Sequence, residues 1–247
     1  MRREPRHFAL FDAALRRRHD AGHSGRFKGA FMFDKTTVHE LFPTPVWVVD
    51  LKADVQEPLN RKIIDAVKVM AASRPPIKPG ETWQTDPYIH KLPQFAELTS
   101  VIRAAAKGAL DFLTIEYQSF EITGTWININ PKGGLNTRHT HPNNFLSGTY
   151  YVQVPAGANR IVFDDPRPQA MTMLPRMKKY NKFVGNEIGV EVKEGRLVLF
   201  PAWLSHGVPA NPDELERISI SFNIMFGAYT ETMSRPLWRG TVGPRIG

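Results

Sequence analysis

The sequence predicts an α+β protein in which two helices precede a run of short strands that close into a sandwich or barrel. In the first half of the chain, apolar residues recur at spacings of three and four, which is the period of an amphipathic helix. Beyond Tyr117 the period changes to two, and turns containing Gly and Pro separate the apolar runs. No further helical pattern follows, so the strands must supply most of the core.

The compact part of the chain begins at residues 38–51, where Pro43 and Pro45 favour short extended pieces over a helix. The first predicted helix spans residues 55–72 and ends before a run of two prolines. The second spans residues 94–116 and repeats the same apolar spacing. Both predicted helices therefore have one face to bury.

The remaining elements are strands. We predict them at residues 119–130, 146–155, 160–164, 189–192, 195–201 and 217–226. Residues 166–186 have no periodic pattern and predict a long loop, and loops of that length are usually functional. In the last strand, polar Arg217 and Ser219 alternate with apolar residues. That polar face lies either in solvent or inside the barrel.

Composition excludes several classes of protein. With 42% hydrophobic and 23% charged residues, the chain is typical of a globular protein. No apolar run approaches the roughly 18 residues of a membrane-spanning helix, so we expect no membrane span and a cytoplasmic location. The absence of cysteine excludes disulfides, thiolate zinc sites and iron–sulfur clusters. Any metal must be held by His, Asp or Glu.

The basic charge is concentrated at the N-terminus. Residues 1–35 hold nine Lys/Arg and four Asp/Glu, out of 32 and 24 in the whole chain. We predict two parts: a basic, flexible extension at 1–35 and a single domain at 36–247. A nucleic-acid partner is expected only through the extension. A homodimer is one alternative for the oligomeric state.

Three histidines form the candidate metal site. His139 and His141 are two residues apart at the mouth of a predicted strand, so both imidazoles point to one side, about 7 Å apart along the chain. His206 ends a later strand and turn, and Arg217 and Ser219 follow it. Each residue alone is a weak signal, but their order along the chain is specific.

With its histidines, Arg217 and Ser219 in this order, the segment 38–227 resembles the 2OG-Fe(II) oxygenases, a family of double-stranded β-helix enzymes. The resemblance is carried by the blocks LFPTPV (41–46), WQTD (83–86), HxHPN (139–143), LSGTYY (146–151), FxDPR (163–167) and LFPxWLxH (199–206). It implies a cupin-like jelly-roll barrel flanked by two N-terminal helices. It also implies an oxygenase that uses Fe(II), 2-oxoglutarate and O2 to hydroxylate a small-molecule or peptide substrate.

The resemblance assigns roles to individual residues. His139 is similar to the first metal ligand of the family and His206 to the distal one. Arg217 would bind the far carboxylate of 2-oxoglutarate through its planar set of donors. Ser219 and Tyr150 would add hydrogen bonds to the same cosubstrate.

The sequence departs from the family at His141, where a carboxylate is expected. His141 could be the third ligand, as in three-His cupins, or lie outside a two-His site. In a third interpretation Asp164 or Asp165 reaches the metal, and in a fourth no metal binds. Asn143, Asn128 and Asp164 are candidates for groups that orient the ligands.

A second function stays open. A cupin-like binding protein or non-oxidative metalloenzyme would hold Zn, Ni or Mn on the same three histidines without a keto acid. Arg217 separates the two interpretations, because a carboxylate anchor beside the metal has no use in the second. In the family, variable loops build the substrate pocket, here residues 75–93 and 166–186, and neither carries a recognisable signature.

Overall fold

The computed structural model describes residues 34–76, 80–173, 175–179 and 181–231. The chain divides into two units, Met1–Thr44 and Pro45–Gly247. The described part of the first unit, residues 34–44, contains no helix or strand. Nearly all of the basic extension lies outside the described residues, so its boundary at residue 35 stays a prediction.

Two long helices occupy the two regions with helical spacing. Helix α1 spans Ala53–Ala71 and α2 spans Ala96–Phe112, with a 3-10 turn at Pro93–Phe95 before it. Helix α2 ends four residues earlier than predicted because Thr114 adopts a left-handed backbone with φ of 53°. A short helix, α3, covers Gly227–Thr230. Among the described residues, no helix is long and apolar enough to cross a bilayer.

The strands are β1 (Trp47–Asp50), β2 (Trp83–Gln84), β3 (Phe120–Asn130), β4 (Asn136–His139), β5 (Leu146–Gln153), β6 (Arg160–Asp164), β7 (Glu187–Glu191), β8 (Arg196–Pro201), β9 (His206–Val208) and β10 (Arg217–Phe226). The sequence missed β2, β4 and β9, which have two to four residues. Alternation is hard to recognise in so few residues, so these strands leave little trace in the sequence.

The strands form two sheets. One has six strands in the order β1-β8-β5-β10-β3-β2, and the other has four in the order β4-β9-β6-β7. All pairs within them are antiparallel. Within the described ranges, no strand of one sheet pairs with a strand of the other. The predicted closed barrel is therefore wrong: the architecture is two mostly antiparallel sheets with few helices.

The six-stranded sheet has two different faces. One face packs on α1 and α2, where Ile220 and Phe222 share a core with Leu59 and Ile102. The other face, here called the inter-sheet face, packs on the four-stranded sheet through a smaller cluster that includes Tyr151. Since the side chains of a strand alternate, each residue of β10 must take one face or the other.

The register decides where the polar face of β10 lies. Ser219 is opposite Tyr151 of β5, and Ser221 is opposite Thr149. Directly opposed residues of an antiparallel pair share a face, so Ser219 and Ser221 lie on the inter-sheet face with Tyr151. The alternative left open by the sequence is thus resolved: the polar face is turned to the interior between the sheets.

Candidate metal and anion site

Three imidazoles come together at one end of the four-stranded sheet. His139 ends β4, His206 begins β9, and the two are opposite each other in the ladder. His141 follows two residues after β4. One nitrogen from each of the three rings lies within 4.8 Å of the others. This spacing allows all three to bind one ion.

Two of these rings are held in the same way. The Nδ1 of His139 lies 2.7 Å from the carbonyl of Thr137, and the Nδ1 of His206 lies 2.9 Å from the carbonyl of Leu204. A carbonyl can only accept, so Nδ1 carries the proton in both rings. The Nε2 of each then presents its lone pair, which is the arrangement that metal-binding histidines usually have.

His141 is positioned by its backbone and by an aromatic neighbour. Its N–H donates to the carbonyl of Ala202, which lies in the turn between β8 and β9, at 2.9 Å. Its ring centroid is 5.8 Å from Trp126 of β3. The ring centroids of His141 and His206 are 5.1 Å apart. Both sheets therefore contribute to the position of this ring.

Burial keeps two of the imidazoles neutral. It lowers the pKa of His141 to about 3, and the neighbouring His206 and His139 add to the shift. It also lowers the pKa of His206 to about 4. Metal ligands must be deprotonated, so the rings are ready to bind an ion at neutral pH without releasing a proton.

The two nearby carboxylates are directed elsewhere. Asp164 Oδ2 accepts a hydrogen bond from Ser205 Oγ at 2.6 Å, and Asp165 forms a two-point ion pair with Arg167. In β6, Phe163 belongs to the cluster between the sheets, so alternation places Asp164 on the outer side. Neither carboxylate joins the histidine cluster. The geometry therefore supports His141 over Asp164 or Asp165 as the third ligand.

Arg217 is a buried cation with no anion beside it in the described part of the chain. Its side chain is 1% exposed, and Nε and Nη1 have no hydrogen-bond partner among the residues that the structure describes. Burial lowers the pKa of the guanidinium, and the neighbouring Tyr151 opposes that shift. Such a group is costly to bury unless something pairs with it.

Further features beside Arg217 suit an anion. The hydroxyl of Tyr151 is also buried without a described partner. A cavity of about 210 Å³ reaches Arg217 and is lined as well by Gly157, Ala158, Arg160 and Pro209. Ser219, which is 5% exposed, is opposite Tyr151 on the same face. Ser219 and Tyr151 therefore add two hydroxyl groups to the face on which Arg217 lies.

Tyr150 does not fit the role predicted for it. It packs in the core beneath the helices, and its hydroxyl donates to Asn60 Oδ1 of α1 at 2.6 Å. Tyr151 is the tyrosine on the face of Arg217. Strand alternation shows that the two residues take opposite faces, but from the sequence alone it does not show which one faces the interior.

The asparagines differ as well. Asn128 lies on the inter-sheet face, accepts from Gln84 Nε2 at 2.7 Å and donates to Ser221 Oγ at 2.9 Å. Asn143 is exposed in a turn with a left-handed backbone, φ 62°. Asn128 can therefore support the interior of the site, whereas Asn143 has the conformation of a turn residue.

The structure thus combines two antiparallel sheets, three imidazoles at one end of the four-stranded sheet that could hold one ion, and the buried guanidinium of Arg217 on the six-stranded sheet. Residues 124–223, which include all of these groups, match the model of the family described as "Putative 2OG-Fe(II) oxygenase". The resemblance found in the sequence is thus confirmed over these 100 of the chain's 247 residues.

Solved structures with a similar fold include the non-heme alpha ketoglutarate dependent epimerase SnoN from nogalamycin biosynthesis. Its sequence is 14% identical, the match covers 83% of this chain and 91% of SnoN, and the TM-score is 0.55. HygX from Streptomyces hygroscopicus, with nickel and 2-oxoglutarate bound, has 13% identity, 74% and 83% coverage and a TM-score of 0.50. A Pseudomonas putida prolyl-4-hydroxylase has 16% identity, 74% and 93% coverage and a TM-score of 0.50. No curated protein matches the sequence. At these identities the likeness shows the fold alone.

Proposed function

We propose that the protein is a non-haem Fe(II)- and 2-oxoglutarate-dependent oxygenase of jelly-roll type. In this proposal His139, His141 and His206 bind the metal, and Arg217 binds the far carboxylate of the cosubstrate. The observation that carries the proposal is the buried, unpaired guanidinium of Arg217, on the interior face of the same fold that gathers the three imidazoles. A metal site without an anionic cosubstrate would leave that cation unexplained.

The imidazoles fit a divalent transition metal. They offer three neutral nitrogen donors, a set that suits iron, zinc, copper and nickel. Bound iron would supply the activation of O2, coupled to the oxidative decarboxylation of 2-oxoglutarate to succinate. The protein contributes orientation: the carbonyls of Thr137 and Leu204 hold the protonated Nδ1 atoms and leave Nε2 free for the metal.

The pocket at Arg217 fits a dicarboxylate. The cavity is lined by Arg160 of β6 and by Pro209, which follows β9. Each lies three residues along the chain from a member of the pair Phe163–His206, or roughly 10 Å in extended backbone. A short dicarboxylate can therefore approach the metal with one end and Arg217 with the other. The Tyr151 hydroxyl and Ser219 lie on the same face and would complete the donors around its far carboxylate.

The substrate is proposed only by class, as a small molecule or peptide that is hydroxylated. The interior near the metal is lined by neutral polar groups, including Asn128, Thr149 and Ser221, which bond to one another. Residues 166–186 begin directly after Asp164 and Asp165 and are proposed to form part of the substrate pocket. The cytoplasmic location, the homodimer and the role of the basic extension stay predictions.

A non-oxidative, cupin-like metalloenzyme is the second candidate. One observation favours it: the cluster consists of imidazoles alone, without the carboxylate that the oxygenase pattern has. Three neutral ligands also suit zinc or nickel. In this case Arg217 would pair with an anion that is not a keto acid.

Anaerobic spectroscopy tests the two candidates. Fe(II) is added to the metal-free protein, followed by 2-oxoglutarate, and the visible spectrum is recorded. The oxygenase requires a charge-transfer band from iron to the keto acid, with a stoichiometry of one. His206→Ala, which removes a proposed ligand, should abolish the band. Stoichiometric metal binding without any band on adding the keto acid would instead favour the second candidate.

A further inference from the structure

Arg138, directly before His139, lies on the outer face of the four-stranded sheet. In β6, Ile161 and Phe163 belong to the cluster between the sheets, so Val162 and Asp164 face outward. The Arg138 guanidinium lies beside Asp164, with Nη1 3.4 Å from Oδ1. The cation is therefore behind the sheet whose other side carries the imidazoles.

The Arg138 side chain connects three strands. Nη1 donates to the carbonyl of Val162 in β6 at 3.0 Å, and Nη2 forms a charge-assisted hydrogen bond with Glu187, the first residue of β7. In the sheet order β4-β9-β6-β7, a residue of β4 must cross β9 to reach these partners. Arg138 thus connects β4, which carries His139, with β6 and β7. Both of these strands lie beyond β9, which carries His206.

Gly207, directly after His206, makes this crossing possible. A Cβ at Gly207 would lie 3.0 Å from Cδ of Arg138 and 3.1 Å from the carbonyl oxygen of Asn136. Both contacts are tighter than ordinary van der Waals packing, so a side chain there would push the arginine outward. The glycine leaves the outer face of β9 open for Arg138.

The backbone pairing of β4 with β9 is short and irregular. The register between them shifts between Asn136 and His139, so the ladder is irregular beside the metal site. Asp164 adds a second connection, because it accepts from Ser205, directly before His206. One carboxylate therefore contacts the residue before each of these two imidazoles.

We propose that Arg138 is a positioning residue that sets the distance and orientation between His139 and His206. The proposal rests on the metal site proposed above. Arg138 does not touch the ion. It acts by fixing β4 against β6 and β7 across Gly207, so that the two opposed imidazoles keep the separation that one ion requires.

Co(II) is the probe, since its visible spectrum reports ligand geometry and its titration gives affinity. Arg138→Gln removes the fork of donors and should weaken Co(II) binding by about tenfold, the lower range for residues that orient metal ligands. The bound spectrum should also shift. Arg138→Lys keeps the charge but cannot hold all the partners, so its affinity should fall in between.

Arg103→Gln is the matched control. Arg103 likewise contacts one carbonyl and one glutamate, Phe120 and Glu121, but extends from α2 and lies outside this network. The control should have wild-type Co(II) affinity and spectrum. Comparing unfolding of all variants separates a loss of geometry from a loss of stability, because a purely structural arginine would lower stability and leave the bound spectrum unchanged.

Gly207→Ala provides a second route that leaves Arg138 in place. It should reduce Co(II) affinity in the wild-type background and have a smaller effect in the Arg138→Ala background, where the contact with Cδ is gone and only the one with the Asn136 carbonyl remains. Wild-type affinity and spectrum in Arg138→Gln would overturn the inference while the metal site stands. Failure of the wild-type protein itself to bind Co(II) would overturn the metal site as well.

Discussion

Tyr150 and Tyr151 are adjacent in β5 and direct their hydroxyls to opposite faces of the six-stranded sheet. Tyr150 donates to Asn60 in α1, while Tyr151 lies beside Arg217 with no described hydrogen-bond partner. One hydroxyl therefore stabilises the helix–sheet core, and the other is available to a ligand. Two substitutions of the same kind should separate these roles.

Tyr150→Phe should lower the free energy of unfolding by about 1–3 kcal/mol, because it leaves the buried Asn60 Oδ1 without its donor. Tyr151→Phe should change stability little, because its hydroxyl has no partner to lose. The affinity for 2-oxoglutarate should show the opposite pattern. Tyr151→Phe should bind 2-oxoglutarate more weakly than the wild type by about tenfold or more, and Tyr150→Phe should be the less affected variant. Denaturant unfolding and anaerobic titration measure the two effects. Equal behaviour of the variants would contradict the assignment of faces.

Each imidazole of the cluster should be required for metal binding. His139→Ala, His206→Ala and His141→Ala should all lose stoichiometric Fe(II) while remaining folded, because each ring offers one of three converging nitrogens. His141→Asp should keep iron, since it restores the carboxylate of the family pattern. Metal analysis after gel filtration provides the measurement, with the exposed His39→Ala as control. Full iron content in His141→Ala would place that ring outside the ligand set.

Arg217→Ala should weaken 2-oxoglutarate binding without loss of metal. Leaving the cosubstrate's carboxylate unpaired in a buried site costs roughly 2–5 kcal/mol, or about 30-fold to several thousand-fold in affinity. Arg217→Lys should retain part of the affinity, because it keeps the charge but loses the planar fork. The Fe(II)-dependent charge-transfer band gives the titration. If Arg217→Ala binds 2-oxoglutarate as the wild type does, the guanidinium is not the anchor.

His90 should make stability depend on pH. Burial lowers its pKa from 6.5 to about 4. The unfolded chain therefore binds more protons than the folded one between these values, and stability is lost as the pH falls from about 6.5 towards 4. His90→Gln should reduce the slope of unfolding free energy against pH in that window. An unchanged slope in His90→Gln would contradict the prediction.

Deletion of residues 1–35 should leave the metal site intact and weaken binding to polyanions. The segment holds nine of the 32 basic residues and none of the proposed ligands. Retention on a heparin column at increasing salt measures binding to polyanions, and metal analysis of the same sample shows whether the metal site is intact. Loss of soluble protein on deletion would show that the segment takes part in folding.

The order of the elements could be predicted because it depends on local periodicity. The limits of β6 and β10 agree with the sequence pattern at both ends, since β6 is an apolar run between two charged residues and β10 alternates over its first eight residues. The short strands β4 and β9 left too little pattern to find, although they carry His139 and His206. Their pairing depends on contacts between residues far apart in the chain.

The identities of the site residues were visible in the sequence, and their surroundings were not. His139, His141, His206 and Arg217 stand in a specific order that can be read from the chain alone. The direction of each side chain depends on which face of a sheet is covered, and only the packing of helices on one face and the second sheet on the other decides that. For this reason the sequence could not show that Tyr151 rather than Tyr150 lies beside Arg217, or that Asp164 faces away from the histidine cluster. The contacts of Arg138 across Gly207 likewise depend on the pairing of the strands.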